Sequence, residues 1–304
     1  MGYRVSVDFA PAHELVLSLD AFFYTPAKSL DLGAEWVSET RKRFGAAKDW
    51  ESPYDPFLLT LLVQRCPGNR TAEAFLEWLA GLTPGQLYEL VTPYVPDKAA
   101  DLLRGLGGRQ AYYLSLLTAW NEAYFRALDP AVLRQLEAEA AWRSKRVKSQ
   151  SPADALEEAT TGMVMESDLV DEVLLVPQYH YRPLIRLAKC GATVVCGYPM
   201  EAPCATGVPA PQLLRVTRAL GDDSRLRILH YLAGGPARTF TDVLKFSGLS
   251  KNTVHYHLLA LRSAGLVRVH LTGECAVDRY SARRATVEGL SARLVEYLND
   301  QPRP

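Results

Sequence analysis

The sequence predicts a mainly helical α+β chain in two domains. Three observations carry this. The chain has 304 residues, enough for about two domains with substantial cores. Apolar residues recur at helical spacing, between caps and breakers, from Pro11 to about residue 160 and again from Gln212 to Ala264. Short alternating or β-branched runs stand at Arg4–Phe9, Leu169–Pro177, Ala192–Cys196 and Leu266–Tyr280. The stretch Tyr198–Pro211, with four prolines, reads as the linker. The expected division is therefore 1–208, a helix-rich domain with a small β element near 170–200, and 209–304.

In the first domain, Arg4–Phe9 alternates as a half-buried strand, and Pro11 opens a helix that carries apolar residues from His13 to Phe23. Further helices are expected around Leu32–Phe44, at Pro56–Gln64, at Ala72–Ala80 behind the cap Thr71, and after Thr83-Pro84. Gly105-Leu106-Gly107-Gly108 reads as a helix break. Tyr112–Leu128 is a longer helix whose Tyr113, Leu117, Trp120 and Tyr124 share one face, a stripe expected in the core. Leu133–Lys148 and a turn from Ser151-Pro152 follow. Leu169–Pro177 and Ala192–Cys196 are strands, expected to pair with the first, and Tyr179–Ile185 is a loop or another strand.

The second domain is more informative. Gln212–Leu220 is a helix, and Asp222-Asp223-Ser224 caps the next, Arg225–Ala233. Phe240–Phe246 is a short helix stopped by Ser247-Gly248, and Ser250 caps Lys251–Ala264, whose Val254, Leu258 and Leu261 face inward. Leu266–His270 and Cys275–Tyr280 form a hairpin around Thr272-Gly273-Glu274, and Glu288–Leu298 closes the domain. Two short helices, a glycine turn, a capped helix and a hairpin make a winged helix-turn-helix.

A helix of this width fits the major groove, and its first turns meet base edges. Lys251, Asn252, Thr253, His255 and Tyr256 supply suitable donors there. Asn252 is the candidate adenine reader. Arg268, His270 and Arg279 place donors on the wing, with Lys251 and Arg268 expected on phosphates. Thr241, Ser250 and Arg262 complete the candidate set. Residues 211–304 hold 14 Lys and Arg against 8 Asp and Glu, and 211–284 hold 12 against 5. The net charge of the whole chain is zero, so the basic surplus sits where double-stranded DNA would bind. A winged helix used to bind protein is the rival reading, and this surplus weighs against it.

Ser250-x-x-Thr253-Val254-x-x-His257-Leu258-x-x-Leu261-x-x-Ala264-Gly265-Leu266-Val267 resembles the recognition helix of the arsenical-resistance-repressor (ArsR) family. Ala219–Leu229 resembles the helix pair that opens that domain, and the likeness covers roughly 85 residues. Residues before it are similar to an uncharacterised domain of long bacterial members. The resemblance implies a bacterial homodimeric repressor of transcription, relieved by an effector. Val287, Leu290, Leu294 and Leu298 then form the candidate dimer seam. The family's metal sites do not carry over: Asp242–Phe246 holds no thiol, and the last helix offers Glu288 and Glu296 without histidine.

Other functions find little support. No phosphate-binding glycine loop, nucleophile elbow or paired metal motif is present, so neither catalysis nor a cofactor is expected. His13 and Glu14 lack a second metal ligand one turn on. Cys190, Cys196 and Cys204, near His180, match no compact zinc spacing. They read as buried or unreactive thiols, with metal or redox sensing as the alternative. Apolar residues are 48% and charged residues 22%, ordinary for a soluble globular chain. No apolar run approaches the ~20 residues of a membrane helix. No leader is seen, and the odd count of five cysteines leads to an expectation of a reducing cytoplasm.

Overall fold

The computed structural model describes residues 2–44, 56–95, 103–166, 170–201, 204–272 and 275–300. In chain order its elements are β1 (Arg4–Val7), α1 (Pro11–Tyr24), α2 (Gly33–Phe44), α3 (Pro56–Arg65), α4 (Ala72–Gly81), α5 (Pro84–Val91), α6 (Leu106–Ala123), α7 (Pro130–Val147), α8 (Pro152–Thr160), β2 (Met163–Met165), β3 (Glu172–Gln178), β4 (Arg186–Cys190) and β5 (Thr193–Pro199). Then follow α9 (Pro211–Leu220), α10 (Asp223–Ala233), β6 (Arg238–Thr239), α11 (Phe240–Ser247), α12 (Lys251–Ser263), β7 (Val267–Leu271), β8 (Val277–Ala282), α13 (Arg284–Glu288) and α14 (Leu290–Asn299). Helices dominate and the sheets are small, so the chain is α+β. Among the described residues, no helix is long and apolar enough to cross a membrane.

The chain divides into two compact units, and the division departs from the expected boundary at 208. The first unit is 4–149 with 170–200. The second is 201–304 with 150–169 and the first three residues. The chain thus leaves the first unit after α7, builds α8 and β2 into the second, and returns to β3. Nothing local marks that excursion, because Met163–Met165 is only three residues long.

In the first unit the sheet order is β1-β3-β5-β4. β1 runs parallel to β3, β3 parallel to β5, and β4 antiparallel to β5. β1 pairs with β3 as expected but does not neighbour β5. Tyr179–Ile185, left open between loop and strand, is a turn, and the extra strand lies at Arg186–Cys190. The helix expected at 112–128 begins at Leu106, directly after Gly105, whose φ of 70° suits glycine. Gly107 and Gly108 therefore lie inside a helix rather than breaking one. Tyr113, Leu117 and Trp120 are buried in one cluster with Leu15, Leu59 and Phe75, and Tyr124 packs against it. Each large apolar side chain buried in this way contributes roughly 1.5–3 kcal/mol.

Two polar clusters inside this unit are paired. The Glu14 carboxylate accepts the backbone N–H of Tyr179 and His180 and faces His180 Nδ1. The Tyr124 hydroxyl meets His180 Nε2 at 2.7 Å and accepts Trp36 Nε1–H at 2.7 Å. His180 is thereby read as an Nδ1–H donor to Glu14 and an Nε2 acceptor from Tyr124. Burial raises the Tyr124 phenol well above its ordinary range, which keeps it a donor. At the end of β1, Asp8 accepts two N–H bonds from Arg70, at 2.8 and 2.6 Å, and meets His13 Nε2 at 3.0 Å. Burial alone raises its carboxyl, but the hydrogen bonds from His13 and Arg70 outweigh it and hold the group well below the carboxylate range.

In the second unit the sheet order is β2-β7-β8-β6. β7 and β8 are the antiparallel hairpin, β6 joins β8, and β2 pairs parallel with the outer edge of β7. Gly162 makes that edge possible: its φ is 130°, and a Cβ there would stand 2.8 Å from the Val267 carbonyl oxygen. The returning strand begins at Val277, and Cys275 lies in the turn before it with φ of 58°. Gly273 and Glu274, like Pro203 and Leu169, lie outside the described residues. The closing helix is two helices, α13 and α14, divided at Gly289.

Candidate nucleic-acid interface

The helix-turn-helix is built from local signals. Thr239 and Asp242 cap α11 reciprocally: Asp242 N–H donates to Thr239 Oγ1 at 3.2 Å, and Thr239 N–H to Asp242 Oδ2 at 2.9 Å. Hydrogen bonds from the Thr239 hydroxyl and backbone hold the Asp242 carboxyl below its ordinary range. Gly248 ends α11 with φ of 66°, a left-handed turn that suits glycine. Ser250 then caps α12, accepting Thr253 N–H at 3.2 Å. Val254, Leu258 and Leu261 seat α12 on Ile228, Leu232, Val243, Leu266 and Val267.

This seating decides which groups face outward. Lys251, Asn252, His255 and Tyr256 are exposed over the first two turns, Tyr256 at 58%. Thr241 is exposed at the start of α11. The helix dipole adds partial positive charge at the same end of α12. The groups predicted to read bases therefore lie together on one surface. The Ser250 and Thr253 hydroxyls lie 2.8 Å apart and serve the cap. His257, part of the family-like pattern, is buried and not on this surface.

Three expected residues are placed differently. Arg262 is partly buried near the far end of α12, roughly 15 Å along the axis from Asn252, where its charge acts on Tyr280. Arg268 alternates away from the buried Val267 and Val269, but it does not project as a free donor. Its Nε–H is held by Glu157 at 2.9 Å, and its Nη1 lies 3.4 Å from the Ala282 carbonyl. His270 meets Ser281 Oγ at 2.9 Å. Burial, then the charges of Arg268 and Arg279, lower its pKa. Arg279 remains exposed on the wing, beside Asp278.

Sequence reasoning missed Glu157, which also receives Arg283 Nε–H at 3.2 Å. No local signal points to it, since 111 residues separate it from Arg268. On the candidate seam, Val287, Leu294 and Leu298 are exposed at 45, 42 and 57%. Leu290 instead packs against the core of its own unit. Val295, at 56% exposure, joins the outer face in its place.

Of the thiols, Cys66, Cys190 and Cys196 are buried and Cys204 is exposed. Burial pushes Cys190 up to about 12. Among the described residues, no group of three His, Cys, Asp or Glu is placed to hold a metal ion.

No curated protein and no solved structure matches the chain. Residues 220–270 match a family described as a helix-turn-helix domain. That stretch runs from the end of α9 through the glycine turn and the exposed start of α12 into the wing. The second unit therefore carries a helix-turn-helix domain, the module of DNA-binding regulators.

Proposed function

We propose that the protein is a dimeric transcriptional repressor that reads an inverted-repeat operator. Lys251, Asn252, His255 and Tyr256 enter the major groove, and Arg279 on the wing meets the backbone. One observation carries this reading: α12 buries Val254, Leu258 and Leu261 while its first two turns turn four donor-bearing side chains outward. The resemblance to arsenical-resistance repressors supports repression, and the exposed apolar face of α14 supports a dimer. A symmetric dimer places its half-sites about one helical turn, roughly 34–36 Å, apart. The first unit senses a small-molecule effector and needs no catalysis, cofactor or metal. The cytoplasm, where DNA and reduced thiols are found, suits this role.

Binding to random-sequence duplex DNA, followed by fluorescence anisotropy from low to high salt, tests the polyanion half of the reading. Each neutralised phosphate steepens the fall of log affinity against log salt by about 0.9. A steep slope that flattens in Lys251→Ala supports it. A flat dependence favours the winged helix as a protein-interaction module.

A further inference from the structure

We infer that α8 and β2 form a regulatory strap, through which a change in the first unit reaches the wing and the recognition helix α12. Its meaning for DNA rests on the proposed repressor reading, which it deepens by naming the route of control. The strap is seated where several elements of the second unit meet. β2 lies in register with β7, Met163 opposite Val269 and Met165 opposite Leu271. Both methionines are buried, and Val269 N–H donates to the Gly162 carbonyl at 2.8 Å. Glu157 takes Arg268 from the wing and Arg283, the residue before α13. Arg283 Nη1–H goes on to Thr286 Oγ1 at 2.8 Å, and the Thr286 hydroxyl donates to the Gly265 carbonyl. Gly265 turns the chain out of α12 with φ of 68°, and a Cβ there would stand 3.4 Å from Thr161 Cβ. The strap therefore touches the wing and the turn after α12 and, through Arg283, the start of α13.

Both ends of the strap are tied to the first unit. Four residues join α7 to α8, and six join β2 to β3. At roughly 3.3–3.6 Å per residue at full stretch, these are short tethers. α7 packs on β1 and β3, so the two tethers start from one packed frame. The connection from β5 to α9 is different. It has eleven residues, and those at 204–208 are exposed. A long exposed connection yields to motion, whereas a strand anchored at both ends moves with its frame. Displacing α7 or β3 therefore loads the β2–β7 ladder and Glu157, and with them the wing.

Hydrogen exchange of the full chain tests this without an effector and without DNA. Val173 is fully buried at the start of β3, so Val173→Ala loosens the frame beside one tether. The β7 amides, Val267–Leu271, should then exchange at least about fivefold faster. Gly-Ser insertions after Ser149 and after Ser167 lengthen both tethers and should abolish that response. The same insertion after Gly207 should leave it intact. Glu157→Gln keeps the chain length and should weaken it. Unchanged β7 exchange in Val173→Ala overturns the inference, as does a response that survives both the lengthened tethers and Glu157→Gln. DNA binding without this response removes the strap alone. The response in a protein that binds no DNA keeps the strap and removes the repressor reading.

Discussion

The carboxylate of Glu157, on α8, holds the Nε–H of Arg268 on the wing at 2.9 Å. The same oxygen takes Arg283, and after two intervening residues the chain passes from α8 into β2 on the edge of β7. The wing is thus braced by a segment between two stretches of the first unit. Arg268 has a structural ion-pair partner, which it shares with Arg283. Arg268→Ala should leave the salt slope of DNA binding unchanged, while Arg279→Ala reduces it by about one. Arg268 is about a third exposed and Glu157 about a quarter, so the pair is screened, and its loss lowers stability by at most about 1 kcal/mol. Anisotropy titrations across salt check the slopes; a reduced slope in Arg268→Ala would show that DNA displaces Glu157.

Asn252→Ala should cost about 1–3 kcal/mol on the preferred site and relax selection at one base pair. Lys251→Ala should weaken all duplexes alike. Competition among single-base variants of the site separates the two. Equal weakening on every sequence in Asn252→Ala demotes that residue to a backbone contact.

Leu294→Arg and Leu298→Glu place charge on the exposed apolar face of α14. Sedimentation velocity should give dimer for the wild type and monomer for either variant, with operator affinity falling in step. A dimer that survives both substitutions moves the seam elsewhere.

Asp20 is buried; its Oδ2 lies 3.0 Å from Arg186 Nε as an ion pair, but neither carboxylate oxygen has an aligned hydrogen bond. Burial is the main cause of its raised pKa, about 6, and the charge of Arg186 only partly offsets it. The folded state holds the proton more tightly than the unfolded chain, whose aspartate titrates near 3.9. The stabilisation is therefore present below that value and is lost as pH rises through about 6, a change of up to about 3 kcal/mol. Denaturant unfolding at pH 5 and pH 8 should show about half of this loss, roughly 1.4 kcal/mol, in the wild type and a much smaller one in Asp20→Asn. Identical pH dependence in both assigns the change to other groups.

Local chemistry was legible in the sequence. Gly248, Ser250 and the 4-and-3 spacing of Val254, Leu258 and Leu261 locate the turn, the cap and the inward face of α12, and from these the outward face follows. Long-range partners were not. Alternation shows that Arg268 points away from Val267 and Val269, but not that Glu157 waits there. Arg70 lies 62 residues from Asp8, and nothing near either names the other. Leu290 sits partly buried against its own unit, because Gly289 divides the helix and resets which residues line its outer face.

Selection of bound sequences from random duplex DNA, with the purified full-length protein, tests the central claim most directly. The account predicts enrichment of an inverted repeat whose half-sites lie about one helical turn apart, with binding that falls steeply with salt. No enriched sequence, together with residual binding that vanishes at moderate salt, contradicts it.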